Sequence, residues 1–398
     1  MLSKLRRQIS DNFLNFRGWK TSRKIIVIES DDWGSIRMPS KQVFDTLLRQ
    51  DIRVNESAYN RYDSLESSRD LLELFEVLRS FQDANEQPAL LTANFVMNNP
   101  DFEAMSSKSP IEYKSEPFIK TYTRYPDHAN SFEVLTAGIQ EQLIRPQCHG
   151  REHVNIRRWL DSLNRGAYRT RLGFQQGLFG LSPGNTNENR GYYLEALGYS
   201  KTEEKSDYQV VIKEALEQFR TIFNFSSASF IAPNYCWDEE VEFALSLNGI
   251  RHIQSGRVQI KPSVSGKKTL VRRYTGQTNT FQQVYTARNC FFEPSLRKSK
   301  PQVEVESCLK QIETAFLWRT PAIICSHRLN YIGSIVAENR DLNLKLLRML
   351  LKNILKTWPD VEFMSSDKLG ELIFETRRRK SDKVSYEILG DPKSSDNE

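Results

Sequence analysis

Five side chains in this 398-residue chain have the types and spacings of a catalytic metal site. Asp31 and Asp32 are adjacent, His149 and His153 are four residues apart, and His327 lies far downstream. Two imidazoles and one carboxylate give a divalent cation such as Zn²⁺ three protein ligands and leave open positions, which a catalytic rather than a structural site requires. Adjacent acids buried at a strand end would repel each other unless a cation neutralised one of them. One carboxylate can then ligate while the other, held close, acts as a base. The four-residue spacing of the histidines predicts that both imidazoles share one side of a helical turn.

Those side chains need elements to gather them. Lys24 to Ile28 is a β-branched run of the kind buried on both faces of a parallel sheet, and the acid pair follows it directly. Ala89 to Val96, the segment ending at Gln147-Cys148-His149, Ala228 to Ala232, Ile250 to Ile253, Phe281 to Tyr285, Ala322 to Cys325 and Val361 to Met364 read as further strands. Helical patterns lie between them at Val43–Leu48, Leu71–Leu78, 132–144, Val210–Phe223, Asp238–Leu247 and Asn339–Leu355, and a last one starts at Asp367. This β-α alternation predicts an α/β fold, a distorted (β/α) barrel of seven or eight parallel strands with long loop insertions. The barrel is expected over 21–375, with insertions near 51–68, 98–130 and 165–207. Residues 1–20 read as an amphipathic helix and 376–398 as a polar, flexible tail. In a parallel barrel the C-terminal strand ends converge on one face, so the two acids and three histidines are expected to share one pocket.

Composition narrows the function classes. The formal charge is +6, with no long basic run and no interleaved stacking aromatics, so no nucleic-acid partner is expected. No apolar stretch is long enough to span a membrane. Leu2, Leu5, Ile9, Phe13 and Phe16 recur at helical spacing beside basic residues, which allows a peripheral contact of 2–16 with an anionic membrane or packing on the main domain. Five cysteines without a CxxC pair, and the lack of a signal-peptide pattern, make a reducing, cytoplasmic location the expectation.

The same segments resemble the polysaccharide deacetylases, the NodB-homology group of carbohydrate esterases. Ile28-Glu29-Ser30-Asp31-Asp32-Trp33-Gly34 is similar to their acid-acid-glycine motif. His149-Gly150-Arg151-Glu152-His153 is similar to the paired-histidine motif, and Phe230 to Tyr235 to the proline-tyrosine motif. Ile323 to His327 resembles the late strand that ends in a catalytic histidine, and Val361 to Leu372 the closing segment. The resemblance implies that Asp31 is a general base and Asp32, His149 and His153 are metal ligands. It implies that His327 is the general acid and that the backbone N–H of Tyr235 helps to hold an oxyanion. The reaction implied is removal of an acyl group, N-acetyl above all, from a saccharide or glycoconjugate by metal-activated water, with zinc as the expected ion.

The departures are specific. Trp33 interrupts the first motif, and the third lacks the arginine that pairs with the base; Arg37, Arg151 and Arg328 are the substitutes to consider. The family's late aspartate, which tunes the acid histidine, has no clean match; Glu293 is the candidate. Tyr235, Trp237, Trp33, Arg328 and Glu293 are therefore the expected substrate-side residues, with Tyr192, Tyr193, Trp237 and Tyr331 as possible stacking platforms for sugar rings. Three other readings fit part of the pattern. One is a non-catalytic carbohydrate-binding protein on the same barrel. Another is a glycosidase with Asp31 and Glu293 as its carboxylate pair. The last is an HxxEH zinc protease, for which Gly150 weakens the required helix.

Overall fold

The computed structural model describes residues 2–107, 109–181, 193–296 and 301–389. One large sheet organises the chain, and its strands are numbered here in chain order. They are β1 (Lys24–Trp33), β2 (Leu91–Phe95), β3 (Ile144–Cys148), β4 (Ser229–Ile231), β5 (His252–Ser255), β6 (Val284–Ala287), β7 (Cys290–Phe291), β8 (Ala322–His327) and β9 (Val361–Phe363). Their spatial order is β6-β5-β4-β3-β2-β1-β8-β7, with β9 beside the start of β1, and every pairing is parallel. Residues 25–33 of β1 are all buried, as expected for a strand covered on both faces.

Continuity of the chain closes the sheet. The edge strands β6 and β7 are consecutive in sequence, separated only by Arg288 and Asn289. So short a link spans at most about 10 Å, so the two edges must meet. The seam has no ladder, and Arg288 and Asn289 stitch it instead. Arg288 N donates to Ser255 O on one side and Asn289 N to Ile323 O on the other, at 2.9 and 3.1 Å. The result is the expected distorted barrel.

The predicted insertions carry structure of their own. Asn98–Pro100 and Ser115–Pro117 pair antiparallel, with the helix Phe102–Ser106 following the first of them, and Ala58–Tyr62 is a helical turn within 51–68. A hairpin that hydropathy did not reveal pairs Val258–Lys261 with Thr269–Arg272, because its exposed strands lack an apolar run. The final helix continues from Ser366 to Leu389, past the boundary expected at 375. The first helix, Leu2–Arg17, packs on the barrel through buried Asn15, whose Oδ1 accepts from Asn289 Nδ2 and Thr320 Oγ1, both at 2.8 Å. Phe13 and Phe16 stay exposed. No helix among the described residues is long and apolar enough to cross a membrane.

Candidate metal centre and active site

Side chains on a strand alternate between faces, so Glu29 and Asp31 of β1 both enter the barrel while a regular Asp32 would point away. A register shift between Ser30 and Trp33 prevents this, and Asp32 takes φ +76°. That local irregularity turns the second carboxylate into the same pocket as the first. Left-handed backbone at a non-glycine residue costs on the order of 1–3 kcal/mol and persists only where the surrounding structure enforces it.

His149 and His153 reach Asp32 from the loop after β3. Gly150, at φ +100°, breaks any helix there, and the next helix begins only at Ile156. The expected shared helical turn is therefore absent: the loop, not a helix face, brings the rings together, with centroids 5.0 Å apart. His149 Nε2 lies 3.7 Å and His153 Nε2 3.2 Å from Asp32 Oδ1. One possible ligand atom from each of the three residues falls within 4.8 Å of the others, and all three residues are buried.

These groups suit a divalent cation. His149 Nδ1 sits 2.9 Å from the carbonyl of Ile231, which can only accept, so Nδ1 is the donor there and Nε2 is the atom turned to Asp32. Burial, with Arg37 nearby, holds His153 well below the usual imidazole range and keeps it neutral. Its Nδ1 is buried without a hydrogen-bond partner. Imidazole nitrogens converging on one buried carboxylate oxygen form a donor set that a divalent cation between them would complete. Arg37 already offsets part of the Asp32 charge, because its Nη2 donates to Asp32 Oδ1 at 2.9 Å.

Asp31 has a separate partner. Arg288, fully buried, donates through Nη1 and Nη2 to the two oxygens of Asp31 at 2.7 and 2.6 Å, and through Nε to Glu29 at 2.6 Å. Asn94 Nδ2 adds a bond to Asp31 Oδ1 at 2.8 Å. Burial alone would raise the Asp31 pKa, but the Arg288 guanidinium overrides it and holds the carboxyl well below its usual range. None of the three arginines considered from the sequence holds this place. Arg37 serves Asp32, and Arg151 bonds Glu152 and Glu214. Arg328 is buried on Asp63 and Glu66. A signal for Arg288 did exist, since it directly follows a strand-like run on the face where the site lies.

Across the sheet, Asp31 and His327 are register partners on β1 and β8, with His327 Nε2 3.8 Å from Asp31 Oδ2. His327 Nδ1 donates to Glu293 Oε1 at 2.5 Å, and Asn330 Nδ2 donates to Oε2 at 2.8 Å. Burial opposes the imidazolium, but Glu293 outweighs it and raises His327 to about 9. Glu293, considered from sequence both as the acid that tunes this histidine and as a substrate contact, stands in the first position, on His327 Nδ1. Cys325 also lies beside this pair. Burial pushes its thiol up to about 12, so it is not a thiolate ligand near neutrality.

A pocket of about 640 Å³ opens over Asp31, Asp32, His149, His153 and His327. Tyr59, Asn234, Tyr235, Glu195 and Lys268 form much of its remaining wall. Other expected substrate residues lie elsewhere. Trp33 is buried with Nε1 donating to Ser30 Oγ, and Trp237 is buried with Nε1 donating to Glu242. Tyr193 and Tyr331 are likewise buried, and Tyr192 lies outside the described residues. Large aromatic side chains in this chain were drawn into the core by their apolar area. The Tyr235 backbone N–H, expected to face an oxyanion, donates to Ala232 O at 3.0 Å within a tight turn. Beside it, Asn234 Nδ2 is without a partner and stands on the pocket wall.

No family model matches the sequence, and no curated protein matches it significantly. Solved structures of related shape include a 4-α-glucanotransferase from Thermococcus litoralis (11% identity, TM-score 0.43), which aligns over 88% of this chain and 40% of its own. They also include Puue allantoinase (10% identity, TM-score 0.42), aligned over 89% of this chain and 91% of that one. A third is the Xyl-CE4 domain of a multidomain xylanase from the hindgut metagenome of Trinervitermes trinervoides (7% identity, TM-score 0.38), over 88% and 90%. This chain thus spans well under half of the glucanotransferase's length.

Proposed function

We propose that the protein is a metal-dependent hydrolase that removes an acyl group, N-acetyl above all, from a saccharide or glycoconjugate. The observation that carries the reading is one pocket in which Asp32, His149 and His153 cluster, flanked by an Arg288-held carboxylate and a Glu293-held imidazole. A divalent ion such as zinc, bound by those three residues, would acidify a water and polarise the acyl carbonyl.

The remaining work falls to the chain's own groups. Asp31 stays ionised because Arg288 holds both its oxygens, and it accepts the water's proton at Oδ2, the oxygen nearer His327. His327, protonated near neutrality, donates from Nε2 to the departing amine or alcohol, with Glu293 fixing the ring through Nδ1. Asn234 Nδ2 replaces the Tyr235 N–H as the donor available to a developing oxyanion. Glu293 is bonded to His327 through one oxygen and to Asn330 through the other, which ties it to orienting the imidazole and weakens the glycosidase reading. Glu152 is bonded to Arg151 outside any helix, which weakens the HxxEH reading.

A second reading, a saccharide-binding protein without turnover, is favoured by one contact. Arg37 already neutralises the oxygen of Asp32 that both histidines face. Metal analysis of the purified protein separates the two. We expect about one zinc per chain, lost in His149→Ala but retained in Asp31→Asn, which loses turnover of an N-acetylated saccharide alone. A metal-free protein that binds saccharide equally well before and after His149→Ala would establish the second reading.

A further inference from the structure

The hairpin Val258–Lys261/Thr269–Arg272 connects the metal pocket to a second cavity. Val258 pairs with Arg272 and Ile260 with Leu270, so these four side chains share one face of the ribbon. The opposite face is anchored to the barrel: Gln259 is buried and its Nε2 donates to Trp237 O at 2.8 Å. The outward face is open, with Leu270 69% and Val258 37% exposed. At one end Ile260, with Lys268 just beyond the strand, lines the pocket of Asp32 and the histidines. At the other end Val258 and Arg272 line a cavity of about 450 Å³ against the first helix.

This second cavity gathers cations among apolar side chains. Arg17, Arg257, Arg272 and Arg273 line it beside Phe13, Leu14, Val258 and Tyr274, and among the described residues no carboxylate does. Two of the four arginines are engaged. Arg257 pairs with Asp11, and Arg273 donates to Gln259 Oε1 at 2.9 Å and lies 3.6 Å from Glu242. Arg17 and Arg272 are exposed and have no carboxylate partner among the described residues. Each guanidinium is instead set over a ring, Arg17 4.8 Å from the centroid of Tyr274 and Arg272 5.7 Å from that of Phe13. A guanidinium stacked on a ring keeps its N–H edge outward, in the fork geometry that takes two phosphate oxygens. Arg272 follows Lys268 by four residues, on the order of 13 Å along an extended strand, about the reach of a sugar ring and the diphosphate attached to it.

We infer that this groove binds the phosphate or diphosphate of a saccharide ester, with the acylated sugar in the metal pocket and the hairpin face as the track between them. The sugar end rests on the hydrolase reading; the anion end rests on the groove's own residues. Calorimetric titration of the full-length protein with inorganic pyrophosphate tests the anion end. The double variant Arg17→Glu/Arg272→Glu is expected to weaken binding at least tenfold at unchanged Tm, while His149→Ala leaves it intact. Binding that survives the arginine changes, or that falls only in His149→Ala, would overturn the groove. A nucleoside-diphosphate N-acetylhexosamine and a detergent-solubilised polyprenyl-diphosphate N-acetylhexosamine test the track. One of them is expected to bind at least tenfold more tightly than pyrophosphate, which identifies the source; no gain from either would overturn the shared-ligand assignment. Arginine-dependent anion binding in a protein without zinc or turnover would sink the hydrolase reading and leave the anion site standing.

Discussion

Arg288 sits between Glu29 and Asp31 with no exposure to solvent, and these two acids make burial of its permanent charge tolerable. Removing one member of such a buried cluster strands the others in a low dielectric and costs about 3–5 kcal/mol. Arg288→Met is therefore expected to lower the unfolding free energy by that amount in urea titrations. It should also let Asp31 rise toward the ordinary carboxylate range, because the charge that depressed it is gone. His327 gives the opposite pH signature. Its folded pKa, about 9, exceeds the unfolded imidazole value of about 6.5, so protonation favours the folded state. That contribution is full below about pH 6.5 and is lost as pH rises through about 9. Urea unfolding across this window should show the decline in the parent protein and a much flatter profile in Glu293→Gln, which removes the charge that raises His327.

At the scale of elements, the site depends on short irregularities. The bulge after Ser30 aims Asp32, and Gly150 lets the β3 loop turn so that both imidazoles face one oxygen. Gly150 and Gly249 both hold positive φ, +100° and +80°, but only Gly150 borders the candidate metal ligands. A Cβ at either would meet nothing closer than 3.5 Å, so alanine costs backbone strain rather than a clash. Both Gly150→Ala and Gly249→Ala are expected to destabilise by about 1 kcal/mol or more. Only Gly150→Ala should also lower zinc affinity, measured by competition with a chelator. Equal affinity in the two variants would show that the loop conformation does not set the ligand geometry.

At the scale of the whole molecule, the barrel closes at a seam two residues wide. Asn289 Oδ1 accepts from Ile323 N at 2.7 Å, while its Nδ2 donates to Pro321 O and to Asn15 Oδ1 of the first helix, both at 2.8 Å. Loss of this side chain leaves buried donors and acceptors unsatisfied at β8 and on the first helix, at about 1–3 kcal/mol for each such group. Asn289→Ala is thus expected to lower Tm by more than Asn15→Ala, which leaves the seam bonds to Pro321 and Ile323 in place. Thermal unfolding of the two variants compares them directly.

Much of this was legible in the linear chain because it depends on local pattern. Buried parallel strands read as β-branched runs, and side chains just beyond them fall on one face of a barrel, so Asp31, Asp32, His149, His153 and His327 could be named together. What the sequence left open depends on partners far apart along the chain. Arg288, not Arg37, Arg151 or Arg328, holds Asp31, because only the seam residue projects between Glu29 and Asp31. Glu293 had two candidate places, and packing put it on His327, while Trp33 and Trp237 went into the core. Strand period and composition constrain each residue's own face; which charge lies opposite, and which aromatic finds room inside, is settled only when distant segments pack.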